Sequence, residues 1–301
     1  MQDIINKIRI KKKNQDFAVL AHNYVNAEIF KIADAIGDSL ELAKISQNIP
    51  QKKIIFAGVK FMAQTAKLLN LTKKIFLPSL DSSCEMANMV DIKILKNLQK
   101  KNPKAATVGY INTTAETKVF CDICCTSANA VEICKQIPEK EIIFLPDKNL
   151  GSFVAEKIPN KKIILFPGFC QTHCCFSADN FFKKIEKNPK AEILIHPETP
   201  KKIRKFANAI LGTGEMKKII KKSKKNIFLI GTDPGMIGAL QFEFPEKKFI
   251  PLFDFYCSGM KKNSLLKILK ILENEKNEIK IPEKIFNSAK LPVEKMMRIC
   301  L

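Results

Sequence analysis

Residues 162–170 read KIILFPGFC, a short apolar run stopped by Pro167 and Gly168 and followed at once by a cysteine. A run of Ile, Leu and Phe bounded by turn formers reads as a buried strand. Two other runs have the same ending: KIFLP at 74–78 precedes Cys84, and KKFIPLF at 247–253 precedes Cys257. Cys84, Cys170 and Cys257 therefore stand 86 and 87 residues apart. A recurrence on that scale, with one α/β unit per period, predicts three small domains of like architecture.

Each of these runs closes a set of three. FAVLAHNY (17–24) and KIIFAGV (53–59) precede the first, ATVGYI (106–111) and EIIFLP (141–146) the second, AEILIHP (191–197) and NIFLIGT (226–232) the third. Longer segments of helical period separate the runs, the pattern of a parallel α/β sheet. The first strand of each third is expected to end near Tyr24, Tyr110 and His196, and each cysteine follows 60 or 61 residues later. The expected domains are 1–90, 91–176 and 177–301, the last carrying a C-terminal helical extension. In parallel sheets the ligand crevice lies beyond the carboxyl ends of the strands. Three pseudo-threefold-related units would point those ends at one centre.

Composition narrows the class. With 301 residues and 46% hydrophobic content the chain can bury a core. Its formal charge of +21 invites a nucleic-acid reading. Yet 48 of the 51 basic residues are lysines, scattered in twos and threes along amphipathic stretches, whereas bidentate phosphate and base contacts favour Arg. No nucleic-acid partner is expected. Apolar runs of four to six residues are far short of a membrane span, and the start of the chain lacks the apolar core of a secretory signal, so a cytoplasmic protein without membrane association is expected.

Ten cysteines in such a chain read as thiols or metal ligands. Three converging thiolates can hold zinc or an iron–sulfur cluster. No paired CxxC…CxxC is present, and the single Cys121-Asp-Ile-Cys124, with Cys125 beside it, reads as packing. Of Cys170, Cys174 and Cys175, only Cys170 belongs to the repeat register. A cubane cluster held by three cysteines leaves one iron without a protein ligand, a Lewis acid suited to dehydration chemistry.

All three His (His22, His173, His196) and all three Tyr (Tyr24, Tyr110, Tyr256) fall at or just past predicted strand ends. Glu198, His22 and Tyr24 are the candidate bases there. Ser39, after Gly37-Asp38, and Ser127, within Thr126–Asn129, stand where helices would begin, places that suit a carboxylate or phosphate and equally a plain cap. Asn112 lies in the polar segment that follows the strand ending at Tyr110.

With these residues in place the sequence resembles quinolinate synthase almost end to end. The resemblance rests on AHNY (21–24), IGDSLELAK (36–44), GVKFMAQTAKLLN (58–70), YINTTAETK (110–118), TSANAV (126–131) and FLPDKNLG (144–151). It continues through GFCQTH (168–173), HPE (196–198), CSGMKKNSLLKILKIL (257–272) and LPVEKMM (291–297). The resemblance implies three α/β domains around a [4Fe-4S] cluster. The reaction it implies condenses iminoaspartate with dihydroxyacetone phosphate to quinolinate, phosphate and water on the route to NAD.

Carried over by position, the cluster ligands would be Cys84, Cys170 and Cys257. Substrate groups would look to His22, Ser39, Tyr110, Asn112, Ser127, His196, Thr213, Met260 and Lys261. Glu198 and Tyr24 would serve the proton transfers, with His173 nearby and His196 and Tyr110 alongside. An upstream aspartate-oxidising enzyme and a homodimer are the implied partners. The sequence departs from the family pattern at Gln64, usually Glu, at Ser82-Ser83 before Cys84, and at Gly212-Thr213-Gly214, usually Ser-Thr-Ser. A diphthamide-synthase-like radical enzyme that cleaves S-adenosylmethionine, and a basic nucleic-acid binder with a structural cluster, are the competing readings.

Overall fold

The computed structural model describes residues 1–299; the last two residues of the expected third domain lie outside it. Three four-stranded, wholly parallel sheets share one strand order. The first is β2-β1-β3-β4, built from β1 (Phe17–His22), β2 (Ala35–Gly37), β3 (Lys53–Ala57) and β4 (Lys74–Phe76). The second is β6-β5-β7-β8, with β5 (Ala106–Tyr110), β6 (Ile123–Cys125), β7 (Glu141–Leu145) and β8 (Lys162–Leu165). The third is β10-β9-β11-β12, with β9 (Glu192–Ile195), β10 (Ala209–Ile210), β11 (Ile227–Gly231) and β12 (Lys248–Pro251).

Strand pairing fixes the equivalence between repeats. Ala18 pairs with Ile54, Ala106 with Ile142, and Glu192 with Phe228. His22, Tyr110 and His196 are therefore equivalent, 88 and 86 residues apart. The first strand ends at His22, two residues before the expected Tyr24, because the chain turns there and the Val25 N–H closes back on the His22 carbonyl.

Nine strands correspond to the runs read from the sequence. The other three, β2, β6 and β10, are edge strands of two or three residues, too short to show a period. Each is preceded by a side chain that ties it to the central strand. Asp34 accepts the Val19 N–H at 2.7 Å, Asp122 the Thr107 N–H at 2.7 Å, and Asn208 the Ile193 N–H at 2.8 Å.

Both faces of these sheets are covered, as parallel strands require. Along β7, Ile142 and Phe144 enter the main core while Ile143 and Leu145 enter a separate outer cluster with Leu95 and Phe166. Along β11, Phe228 and Ile230 face the main core and Leu229 joins an outer cluster with Phe181 and Phe253. This is the period-two alternation of a pleated strand. The C-terminal extension does not stay on the third sheet. Helix Leu265–Asn274 packs on helix Gln2–Asn14, and helix Glu283–Ile299 lies over helices Lys60–Leu69 and Ala115–Lys118 and over β6.

Candidate active site

The strand ends converge on a cavity lined from all three repeats. Every sequence-predicted site residue lines it except Lys261. The Lys261 ammonium instead sits 3.5 Å from the Val25 carbonyl and 4.8 Å from the centre of the Tyr256 ring.

Repeat symmetry explains the lining. The strand-end position supplies His22, Tyr110 and His196, and the position two residues on supplies Tyr24, Asn112 and Glu198. A third set, Ser39, Ser127 and Thr213, stands 88 and 86 residues apart at or near the starts of three helices. Ser39 is not the helix cap. Asp38 takes that role, accepting from the Leu40 and Glu41 N–H groups at 2.9 Å, which leaves the Ser39 hydroxyl to the cavity. Thr213 accepts from Asn23 Nδ2 at 3.2 Å. A Cβ on Gly214 would come within 2.7 Å of Asp38 and 2.8 Å of Glu41, so glycine allows this helix start to press against that of Ser39.

His22 and His196 are held alike. The backbone N–H two residues on donates to each Nδ1, from Tyr24 at 3.2 Å and from Glu198 at 3.4 Å. Nδ1 is thereby an acceptor and the proton sits on Nε2. Burial pushes both imidazoles down to about 3, His22 further opposed by Lys217 and His196, and His196 by His173. Two neutral Nε2–H donors result. That of His196 lies 3.3 Å from Ser127 Oγ.

Glu198 is the hub. It is buried, accepts from Tyr110 Oη at 2.6 Å through Oε1, and places Oε2 3.1 Å from His173 Nδ1. Burial alone would raise its pKa, but His173 and Tyr110 outweigh that and hold the carboxyl below its ordinary range. Burial opposes charge on His173, and Glu198 overcomes it. His173 also contacts Cys170 Sγ at 3.1 Å and stacks on His196 with centroids 4.7 Å apart. Its Nε2 lies 2.8 Å from Thr232 Oγ1, which in turn meets Tyr24 Oη at 2.6 Å. The result is an unbroken line from Tyr24 through Thr232, His173 and Glu198 to Tyr110. Burial raises both tyrosines, so both stay protonated.

Four contributors escape a reading of the sequence alone. Thr232 links Tyr24 to His173. Arg204, fully buried, donates through Nη1 to the carbonyls of Pro197 (3.0 Å) and Thr199 (2.9 Å), on either side of Glu198, and to that of Asn149. Asp147 and Asp233, 86 residues apart, accept the backbone N–H of Cys170 at 3.0 Å and of Cys257 at 2.7 Å. That spacing repeats the cysteine register and is the signal that could have found them.

Comparison with known proteins decides the family. Residues 6–298 match the family model described as Quinolinate synthetase A protein. The chain is similar to the quinolinate synthase of Thermotoga petrophila, 41% identical over 298 residues that cover 98% of this chain and 99% of the relative. It is also similar to those of Clostridium novyi, 42% identical over 295 residues covering 98% of each, and of Sulfurihydrogenibium sp., 39% identical over 303 residues covering 99% and 98%.

The chain belongs to the quinolinate synthase family.

It is thus an enzyme that forms quinolinate in de novo NAD biosynthesis, and its family carries a [4Fe-4S] cluster. The cysteines here fit that cofactor. Cys84, Cys170 and Cys257, one per repeat, line both the main cavity and a second one that Phe255 and Tyr256 flank. Burial pushes all three thiols up, joined by Cys257 at Cys84 and by Glu198 and then Cys84 at Cys170, while Cys257 reaches about 11 as the Met260 and Gly259 N–H groups oppose burial and Asp233. Three thiols that resist ionisation alone are offset by a cationic metal centre. Cys121, Cys124 and Cys125 are buried around β6 and line neither cavity, and Cys175 is exposed. Gln64, a departure from the family pattern, accepts the Ala115 N–H at 3.3 Å away from the cavity lining. Among the described residues no helix is long and apolar enough to cross a membrane.

Proposed function

We propose that this cavity joins iminoaspartate and dihydroxyacetone phosphate, both anions, to give quinolinate, phosphate and water. The observation that carries this reading is the sharing of one cavity by three thiols, three hydroxyls and two neutral imidazole donors around the Glu198–Tyr110–His173 cluster. Bound by Cys84, Cys170 and Cys257, the cluster supplies a Lewis-acidic iron that lacks a protein ligand.

The chain's own residues do the rest. Ser39, Ser127 and Thr213, with the Nε2–H groups of His22 and His196, donate to carboxylate and phosphate oxygens in a site with little water to compete. Asn112 contributes a buried Oδ1 that has no protein partner, an acceptor for a substrate N–H or O–H. Glu198, ionised, takes a proton from a substrate carbon or nitrogen, and Tyr110 returns one across their 2.6 Å bond. Tyr24 and His173 exchange protons through Thr232 on the other side of the same line. Enclosure protects imine and carbonyl intermediates from hydrolysis. Met260 borders the bound substrates as an apolar wall, while Lys261, off the lining, raises the positive potential outside it.

An upstream enzyme that oxidises aspartate would supply the short-lived imine, both acting in the cytoplasm, and the chain would work as a homodimer. The segments 1–90, 91–176 and 177–301 are the corresponding domains. The test is an anaerobic assay of cluster-reconstituted protein, with iminoaspartate generated in place, dihydroxyacetone phosphate added, and quinolinate detected by mass. Cluster-dependent product is expected; a loaded protein that yields none refutes the substrate assignment.

A further inference from the structure

Asp147 and Asp233 do the same thing at equivalent places. Each lies two residues beyond the end of a central strand, β7 at Leu145 and β11 at Gly231, and each is fully buried. Each uses both carboxylate oxygens as acceptors. Asp147 Oδ1 accepts from the Leu150 N–H at 2.7 Å and Oδ2 from the Cys170 N–H at 3.0 Å. Asp233 Oδ1 accepts from the Gly235 N–H at 2.6 Å and Oδ2 from the Cys257 N–H at 2.7 Å. One oxygen grips the turn that follows the strand, and the other grips a cysteine 23 or 24 residues further on. An asparagine could accept at only one of these two positions, since its NH₂ would face the other N–H.

The first repeat breaks the pattern. Two residues past β3 stands Val59, buried and without any acceptor to offer. The loop before Cys84 is held by other means: Ser82 Oγ donates to the carbonyls of Gly58 at 2.7 Å and Gly259 at 2.6 Å. Two of the three cysteines are therefore anchored by a carboxylate and the third is not.

We propose that Asp147 and Asp233 are positioning residues for the metal centre, fixing the backbone of Cys170 and Cys257 beside it. The inference rests on the three-cysteine cluster reading. A ligand loop fixed before the metal arrives binds it more tightly, and a partner that orients a ligand typically contributes 10- to 100-fold in metal affinity.

The experiment compares unmodified protein with Asp147→Asn, Asp233→Asn and Asp122→Asn, the last removing an acceptor of a strand N–H outside the cavity. The readouts are iron release to a chelator and the visible absorbance of the reconstituted cluster, neither of which requires turnover. Expected is iron release roughly 10- to 100-fold faster, with absorbance lost in step, in the first two variants and no change in the third. Release equal to that of the unmodified protein in both would overturn the proposal, as would an equal effect of Asp122→Asn. Should Asp147→Asn not accumulate folded, Asp233→Asn decides on the same criteria. Unmodified protein that takes up no cluster overturns the metal reading instead, and does so before any variant is compared.

Discussion

Tyr110 Oη donates to Glu198 Oε1 at 2.6 Å, a bond that joins the end of the second repeat's central strand to the third repeat's turn. It fixes the carboxylate that also faces His173, so one residue ties two domains and the proposed chemistry together. Glu198→Gln keeps the shape and removes the base. We expect normal cluster content with turnover lowered about 10²- to 10⁴-fold, and a smaller loss in Tyr110→Phe. Steady-state rates on iron-matched samples check this; an unchanged rate in Glu198→Gln removes it from proton transfer.

Arg204 holds Glu198 from behind through the carbonyls of Pro197 and Thr199, and pairs with Glu156 at 2.7 Å through Nη2. Lysine cannot reproduce that planar fork. Arg204→Lys leaves at least one buried carbonyl without a donor, a loss of about 1–3 kcal/mol. A lowered denaturation midpoint is expected, and a midpoint equal to the parent's contradicts the clamp.

The cysteines sort by repeat register. Cys84→Ala, Cys170→Ala and Cys257→Ala should each lose cluster iron and its visible absorbance, while Cys125→Ala and Cys175→Ala should keep both. A full cluster in Cys257→Ala refutes the ligand set.

How far the sequence speaks depends on where a residue's partner lies. Strands such as KIIFA and EIIFL announce themselves because burial on both faces demands unbroken apolar runs. Ala35–Gly37 and Ala209–Ile210 do not, since two or three residues carry no period and their tie is a single Asp or Asn oxygen. Glu198 and Asn112 were placed by the ends of the central strands, and Ser39 by the helix start that Gly37-Asp38 announces. Asp147 and Asp233 were not, because LPDK and TDPG read locally as turns and the cysteines they hold lie 23 and 24 residues away. Arg204 was hidden for the same reason: it acts through backbone carbonyls, which every residue has.

Gly259 faces the Cys84 loop so closely that a Cβ would fall on the Ser83 carbonyl, with Val59 at 3.0 Å behind it. Backbone cannot yield as a flexible side chain can. Gly259→Ala should cost about 1–3 kcal/mol and separate the Cys84 and Cys257 loops. A lowered thermal midpoint together with reduced iron per chain is the expected result, and full iron content would show that the loops are independent.

Acid should find the two neutral histidines. His22 and His196 hold folded-state pKa values of about 3, against an ordinary value of 6.5. Between those limits the unfolded chain binds protons that the folded one refuses, so stability falls as pH drops from about 6.5 toward 3. Each such site adds at most about 1.4 kcal/mol per pH unit to that slope. His173 acts oppositely: its raised pKa stabilises the fold below 6.5 and that contribution fades as pH rises through the folded value. Glu198, held low, keeps its contribution until pH falls below the ordinary carboxylate range. In the same window the raised carboxyls of Asp147, at about 7, and Asp233 take up protons in the fold and, with His173, oppose the two imidazoles. His196→Asn removes one depressed site, so acidification through pH 6.5 to 5 should lower the urea-unfolding free energy less, or raise it more, than in the parent. An unchanged slope would mean that His196 is not buried in its neutral form.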